Sequence, residues 1–195
     1  DFQSLRIPLG EDMLSLKARP GFLRLYGHEG LLSPFRQALV GRRLQAFCAG
    51  WEATVDYEPD HYKHMAGIAA YYNTSTYYYL CVTHEESLGR VVKLYVCDGG
   101  AYDEPYAPVL VPSGKPIRLK LEIQGDSISF AYAVEDSPYQ CYGEEMDATL
   151  LSDEHVHEAS GMSAFTGTFF VLCCQDMTGG GYPADFSGVH YYEKE

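Results

Sequence analysis

The 195-residue chain carries 27 acidic against 14 basic side chains, a formal charge of -13, with 46% hydrophobic and 21% charged residues. That balance repels phosphate backbones and anionic lipid surfaces, which argues against nucleic acid and membrane as partners, and no apolar run approaches the ~20 residues that span a bilayer. The length suits one globular domain, residues 1–195, around one core.

In chain order, strand signals fall at residues 22–26, 45–57, 65–72, 77–83, 91–97, 117–123, 128–133 and 169–174, separated by Gly, Pro, Asn and Asp clusters. This spacing predicts an all-β antiparallel sandwich of the jelly-roll kind. In Arg118-Leu-Lys-Leu-Glu-Ile123 the aliphatic residues take one face and the charges the other, so that strand is half buried. Gly125-Asp126 suits a tight hairpin turn between it and the next strand. The one helical signal is a short turn over residues 151–157, with Ser152 as a cap ahead of Asp153 and Glu154. Loops are expected at 27–35, 73–76, 98–108, 135–139 and 179–183.

Cys48, Cys81, Cys97, Cys141, Cys173 and Cys174 form no C-x-x-C pair and sit mostly in apolar runs, which fits small buried hydrophobes in a reducing, cytoplasmic protein; disulfides and an extracellular parent stay open. The opening Asp1-Phe2-Gln3, without an initiator Met, reads as a piece of a longer polypeptide.

Residues able to carry chemistry do not converge. Glycoside hydrolysis needs two paired carboxylates, and nothing singles out a pair; the adjacent Glu144 and Glu145 read as surface charge. His155 and His157, with Glu154 or Glu158, would bind a metal only from a strand, whereas on a helix i and i+2 diverge. His61 and His64 read as exposed loop residues. No Ser sits in a G-x-S-x-G elbow, and Gly179-Gly180-Gly181 lacks the Lys-Ser/Thr of a phosphate loop. The unusual feature is aromatic: 17 Tyr and 9 Phe, with Tyr71-Tyr72 and Tyr77-Tyr78-Tyr79 bracketing a turn. Alternation along a strand predicts that some of these tyrosines are exposed, where their rings could stack on sugars in an autonomous carbohydrate-binding module.

Several longer stretches carry a resemblance: Asp1-Phe-Gln-Ser-Leu-Arg-Ile-Pro8, Arg19-Pro-Gly-Phe-Leu-Arg-Leu-Tyr-Gly27, Met65-Ala-Gly-Ile-Ala-Ala-Tyr-Tyr-Asn-Thr74, Tyr77-Tyr-Tyr-Leu80, Ala164-Phe-Thr-Gly167, Cys173-Cys-Gln-Asp176 and Ala184-Asp-Phe186. In this order, over essentially the whole chain, they resemble the C-terminal concanavalin A-like domain of the β-xylosidases of glycoside hydrolase family 43. The resemblance implies an accessory domain without catalytic residues of its own, attached to a five-bladed catalytic propeller. In that family a sandwich loop reaches over the propeller's pocket and adds an aromatic wall for a xylo-oligosaccharide; the matching loop spans residues 161–167 and the matching aromatic is Phe165. The substrate would be that of a β-xylosidase or α-L-arabinofuranosidase. No cofactor is implied beyond a structural calcium, for which Asp185 is the candidate ligand, and a homo-oligomeric parent is left open. The sequence departs from the family pattern at Ser187-Gly188-Val189, at Tyr139, and in a shortened Glu158-Ala-Ser160.

Overall fold

The computed structural model describes residues 2–5, 7–161 and 163–194. Fifteen strands are described: β1 (Leu14–Ser15), β2 (Leu23–Tyr26), β3 (Ala38–Arg43), β4 (Cys48–Asp56), β5 (His64–Asn73), β6 (Thr76–Glu85), β7 (Gly89–Asp98) and β8 (Ala101–Asp103), then β9 (Val109–Leu110), β10 (Ile117–Gln124), β11 (Ser127–Val134), β12 (Gln140–Cys141), β13 (Met146–Asp147), β14 (Phe169–Asp176) and β15 (Pro183–Glu193). A 3-10 turn, Ala148–Leu151, and one helix, α1 (Asp153–Ser160), interrupt them.

The strands form two antiparallel sheets. One runs in the order β1-β2-β15-β4-β10-β11-β12 with β13 beside β11, and the other β3-β14-β5-β6-β7-β8 with β9 beside β7. The expected sandwich is therefore present. Ile117, Leu119, Leu121 and Ile123 of β10 point inward with charges between them, and Gln124 pairs Ser127 across the Gly125-Asp126 turn, where Gly125 takes the left-handed φ of 59°.

The second sheet departs from simple alternation. Ile68, Ala70 and Tyr72 of β5, Tyr78, Leu80 and Val82 of β6, and Phe170 and Leu172 of β14 face the first sheet around Trp51. Their neighbours Tyr71, Tyr77, Tyr79, Cys81, Phe169 and Cys173 face away, yet they form a second buried cluster with Leu31 and Leu39, against which Leu5 packs. The rings shield one another, with Tyr71 and Tyr77 stacked at 5.8 Å and Tyr95 against both Tyr79 and Tyr102. The expectation that some tyrosines of 71–79 are exposed is thus corrected, because all five are 0–3% exposed. They offer no stacking platform for a sugar.

Besides five strands of two or three residues, two longer strands were not legible. β3 contains Gly41, where a Cβ would lie 2.2 Å from the Phe170 carbonyl oxygen, so close packing demands a residue that strand propensity disfavours. β15 starts at a proline and shifts register between Ser187 and His190, with Gly188 at φ 58°, so the departing Ser187-Gly188-Val189 segment forms a β-bulge. His64 is a further correction. It is buried at the start of β5, its ring stacked 4.5 Å from Tyr182 and its Nδ1 2.9 Å from Asp60, because the strand begins one residue earlier than the pattern indicates.

Gly67 on β5 pairs Cys173 on one side and Cys81 on the other. A Cβ there would sit 2.1 Å from the Leu80 carbonyl oxygen and 2.6 Å from the Cys81 Cα, atoms that only backbone movement can displace. Gly67→Val should lower the urea midpoint by the equivalent of about 3 kcal/mol, the upper end of the usual cost of overpacking, with an unchanged m-value.

Candidate functional site

Four connections meet at one end of the sandwich: residues 44–47 between β3 and β4, the Gly125-Asp126 turn, the 148–152 turn, and residues 163–168 ahead of β14. The sequence builds this end through local capping. Asp147 accepts hydrogen bonds from the Thr149 N–H at 2.8 Å and the Thr149 hydroxyl at 2.6 Å, starting the 3-10 turn. Ser152 then accepts from the His155 N–H at 3.1 Å and caps α1, as the sequence predicted, with Asp153 and Glu154 in the first turn where the helix dipole favours them. Gly161 closes the helix at φ 65°, donating to the His157 carbonyl.

Beyond Gly161 the loop turns Ala164 into the core and Phe165 out of it, leaving Phe165 87% exposed. It is braced on its far side: the Thr168 hydroxyl donates to the Leu151 carbonyl at 2.9 Å, and the Leu44 N–H donates to the Thr168 carbonyl at 2.9 Å. Tyr72 on β5 meets the first turn of α1: its hydroxyl donates to Asp153 Oδ1 at 2.5 Å, and burial first, then this bond, raises the phenol above its ordinary range.

Beside the loop lies a cleft of about 400 Å³ lined by Leu44, Ala46, Phe47, Ile123, Leu151 and Thr168. Phe47 stands at its rim, 88% exposed. Sequence reasoning missed this residue for a physical reason. In a strand over 45–57, Phe47 shares parity with buried Trp51, but β4 begins at Cys48, and the Phe47 carbonyl is taken by the Gly125 N–H at 2.9 Å, so its ring lies outside the sheet. The start of the chain runs to the same end: Gln3 pairs Gly41 antiparallel, and Phe2 borders Arg42, Arg43 and Gln45.

The other sequence candidates lie elsewhere. Asp185 on β15 accepts from Arg24 Nε and Nη2, both at 2.7 Å, and from Arg19 Nη1 at 3.0 Å. Burial would raise this carboxyl, but the arginine bonds outweigh it and hold it below the usual carboxylate range. Two guanidinium groups where cation ligands should converge do not fit a calcium ion. His155 Nε2 lies 2.7 Å from Asp98 Oδ1, and the helix sends His155 and His157 in different directions, so they do not form a metal pair. Glu144 and Glu145 are exposed.

The two sheets define a concanavalin A-like β-sandwich, a scaffold shared by many binding and accessory domains. The family described as the beta xylosidase C-terminal concanavalin A-like domain, GH43_C2, matches residues 1–192, and the chain belongs to it. The beta-xylosidase of Bacillus subtilis (strain 168) is 36% identical over all of this chain and 36% of its own length, and the putative beta-xylosidase of Escherichia coli (strain K12) is 34% identical over 98% and 36%. The crystal structure of xylan beta-1,4-xylosidase from Bacillus halodurans C-125 superposes with a TM-score of 0.93 at 36% identity, covering 98% of this chain and 36% of that one. The chain therefore spans little more than a third of the relatives it matches.

Asp185→Asn should destabilise the fold by about 2 kcal/mol at neutral pH, because it takes the carboxylate from Arg24 and leaves Arg19 with Asp56 alone. The depressed carboxyl contributes stability above its unfolded value of about 3.9 and loses it as pH falls through the lower folded value. The gap between variant and wild type in denaturant titrations should therefore close only below about pH 4. EDTA should leave both midpoints unchanged.

Proposed function

We propose that this domain serves a β-xylosidase or α-L-arabinofuranosidase acting on xylo-oligosaccharides, packs against the five-bladed catalytic propeller of the same polypeptide, and completes its substrate pocket with Phe165. The carrying observation is a large apolar ring held 87% in solvent by a loop braced on both sides. Burying a phenylalanine is worth about 1.5–3 kcal/mol, and exposed apolar groups gathered within a polar rim mark interaction surfaces. Phe165, Phe47 and the cleft share one end of the sandwich. The family's description as a C-terminal domain and the additional length of the relatives support a covering partner of this kind.

In this reading the propeller supplies the reacting carboxylates. The sandwich supplies shape: Phe165 walls the pocket, excludes water and orients a short oligosaccharide. Phe47 and the cleft beneath it form part of the docking surface, and burying them there leaves Phe165 to face the sugar.

In the full-length enzyme Phe165→Ala should raise KM for xylobiose about tenfold with an unchanged thermal midpoint, a loss of roughly 1.4 kcal/mol of binding. Phe47→Ser should instead lower the midpoint of the joined domains while sparing that of the isolated sandwich. Unchanged KM and kcat for Phe165→Ala would remove the ring from the pocket.

A further inference from the structure

In a chain of formal charge -13 a cation without a carboxylate stands out, since most described arginines and lysines hold one, as Arg24 holds Asp185 at 2.7 Å and Lys93 holds Glu104 at 2.8 Å. Arg42 and Arg43, at the end of β3, hold none among the described residues. Aromatic rings hold them instead. The Arg42 guanidinium lies 3.9 Å from the centre of the Tyr191 ring, with Nη2 donating to Gln45 Oε1 at 3.0 Å, and the Arg43 guanidinium lies 4.7 Å from the centre of the Phe169 ring. Stacking occupies the face of a guanidinium and leaves N–H donors at its edge, where a planar acid can accept two parallel bonds.

Both arginines border one depression of about 360 Å³, completed by Phe2, Gln3 and Gln45. That volume lies within the range of small-ligand pockets, roughly 300–1,000 Å³. The lining holds two guanidinium groups, two amides and the half-exposed ring of Phe2, with no acid among the described residues that form it. These are the groups that recognise a uronic acid: cations for its carboxylate, amides for its hydroxyls, and an apolar ring for the C–H face of the pyranose. A carboxylate on a docking protein would use the guanidinium pair and leave the rest idle. The place also fits, because Arg43 Nη1 would lie only 3.0 Å from a Cβ on Gly167, two positions after Phe165.

We propose that Arg42 and Arg43 form a carboxylate subsite beside the Phe165 loop, which suits the enzyme to xylo-oligosaccharides that carry a uronic acid substituent. The inference rests on the reading that Phe165 faces the sugar. An acidic sugar is repelled by most of so negative a surface, so it can be held only where cations are left unneutralised. The pair sets specificity and takes no part in the bond cleavage itself. It grips the substituent and leaves the neutral xylose backbone to Phe165.

The test compares the full-length enzyme with its Arg42→Gln/Arg43→Gln and Phe165→Ala variants on two substrates, xylobiose and a xylobiose whose reducing-end xylose carries glucuronic acid, and titrates each protein with glucuronate alone. Removing the charge-assisted bonds should raise KM for the acidic substrate about tenfold in the double arginine variant and leave KM for xylobiose within about twofold. Lys63→Gln, which removes a cation ahead of β5 and outside the depression, should change neither. An unchanged KM for the acidic substrate in the double arginine variant overturns the proposal. So does an equal rise for both substrates with a lower thermal midpoint of the joined domains, which would show that the pair meets a protein carboxylate. If Phe165→Ala leaves KM for xylobiose unchanged, the pocket reading fails, and the titration decides the subsite by itself: saturable glucuronate binding that the double arginine variant loses upholds it, and no binding to the unmodified enzyme overturns it.

Discussion

Burial of the seven-stranded sheet on both faces is the constraint from which the rest of the molecule follows. One face packs on the first sheet around Trp51 and Phe170, and the other carries its own layer of tyrosines, cysteines and Phe169. Side chains locked on both sides leave little room for the sheet to flex. Gly41 and Gly67 hold the remaining gaps, since at both positions a Cβ would run into neighbouring backbone. A sheet fixed in this way is a rigid mount, and the loops at its end inherit that rigidity only where a side chain ties them to it.

Those ties are polar, and they gather on the excursion between β13 and β14. The 3-10 turn and α1 bury few residues of their own, so burial contributes little to holding them. Capping by Asp147 and Ser152 satisfies the free N–H groups at each start, while the Tyr78, Tyr72 and Thr168 hydroxyls and the His155–Asp98 pair fasten the excursion to strands. Two of these hydroxyls belong to the tyrosine run. Their rings fill the core and their oxygens emerge at its margin, so one side chain serves both packing and loop placement.

This double use explains what could be read from the sequence. Strands with one solvent face, such as β10, announce their orientation by alternation, and α1 announced itself through Ser152. Strands 65–72, 77–83 and 169–174 were legible as strands, but a continuous apolar run does not tell which face is covered, so the tyrosines were given a solvent face they lack. β3 and β15 were hidden by a close-packed glycine and a bulge. Asp185 looked like a ligand because Arg19 and Arg24, which neutralise it, lie more than 160 positions earlier in the chain. Phe165 came from the resemblance of one loop. No rule of composition or spacing would have selected it, and parity along the strand hid Phe47.

The two exposed phenylalanines differ in how they are held, and the difference bears on their roles. Phe47 hangs from a short connection fixed through its own carbonyl by Gly125, directly over an apolar cleft, which suits a surface that is simply covered. Phe165 stands on a loop held by a helix cap at one end and a threonine hydroxyl at the other, with Ala164 turned inward beside it. Fixing a loop costs backbone entropy at every residue, about 1–2 kcal/mol each, and hydrophobic covering alone does not require that cost. Preorganisation does: a ring that must meet a small ligand in one orientation binds more tightly when its position is settled beforehand.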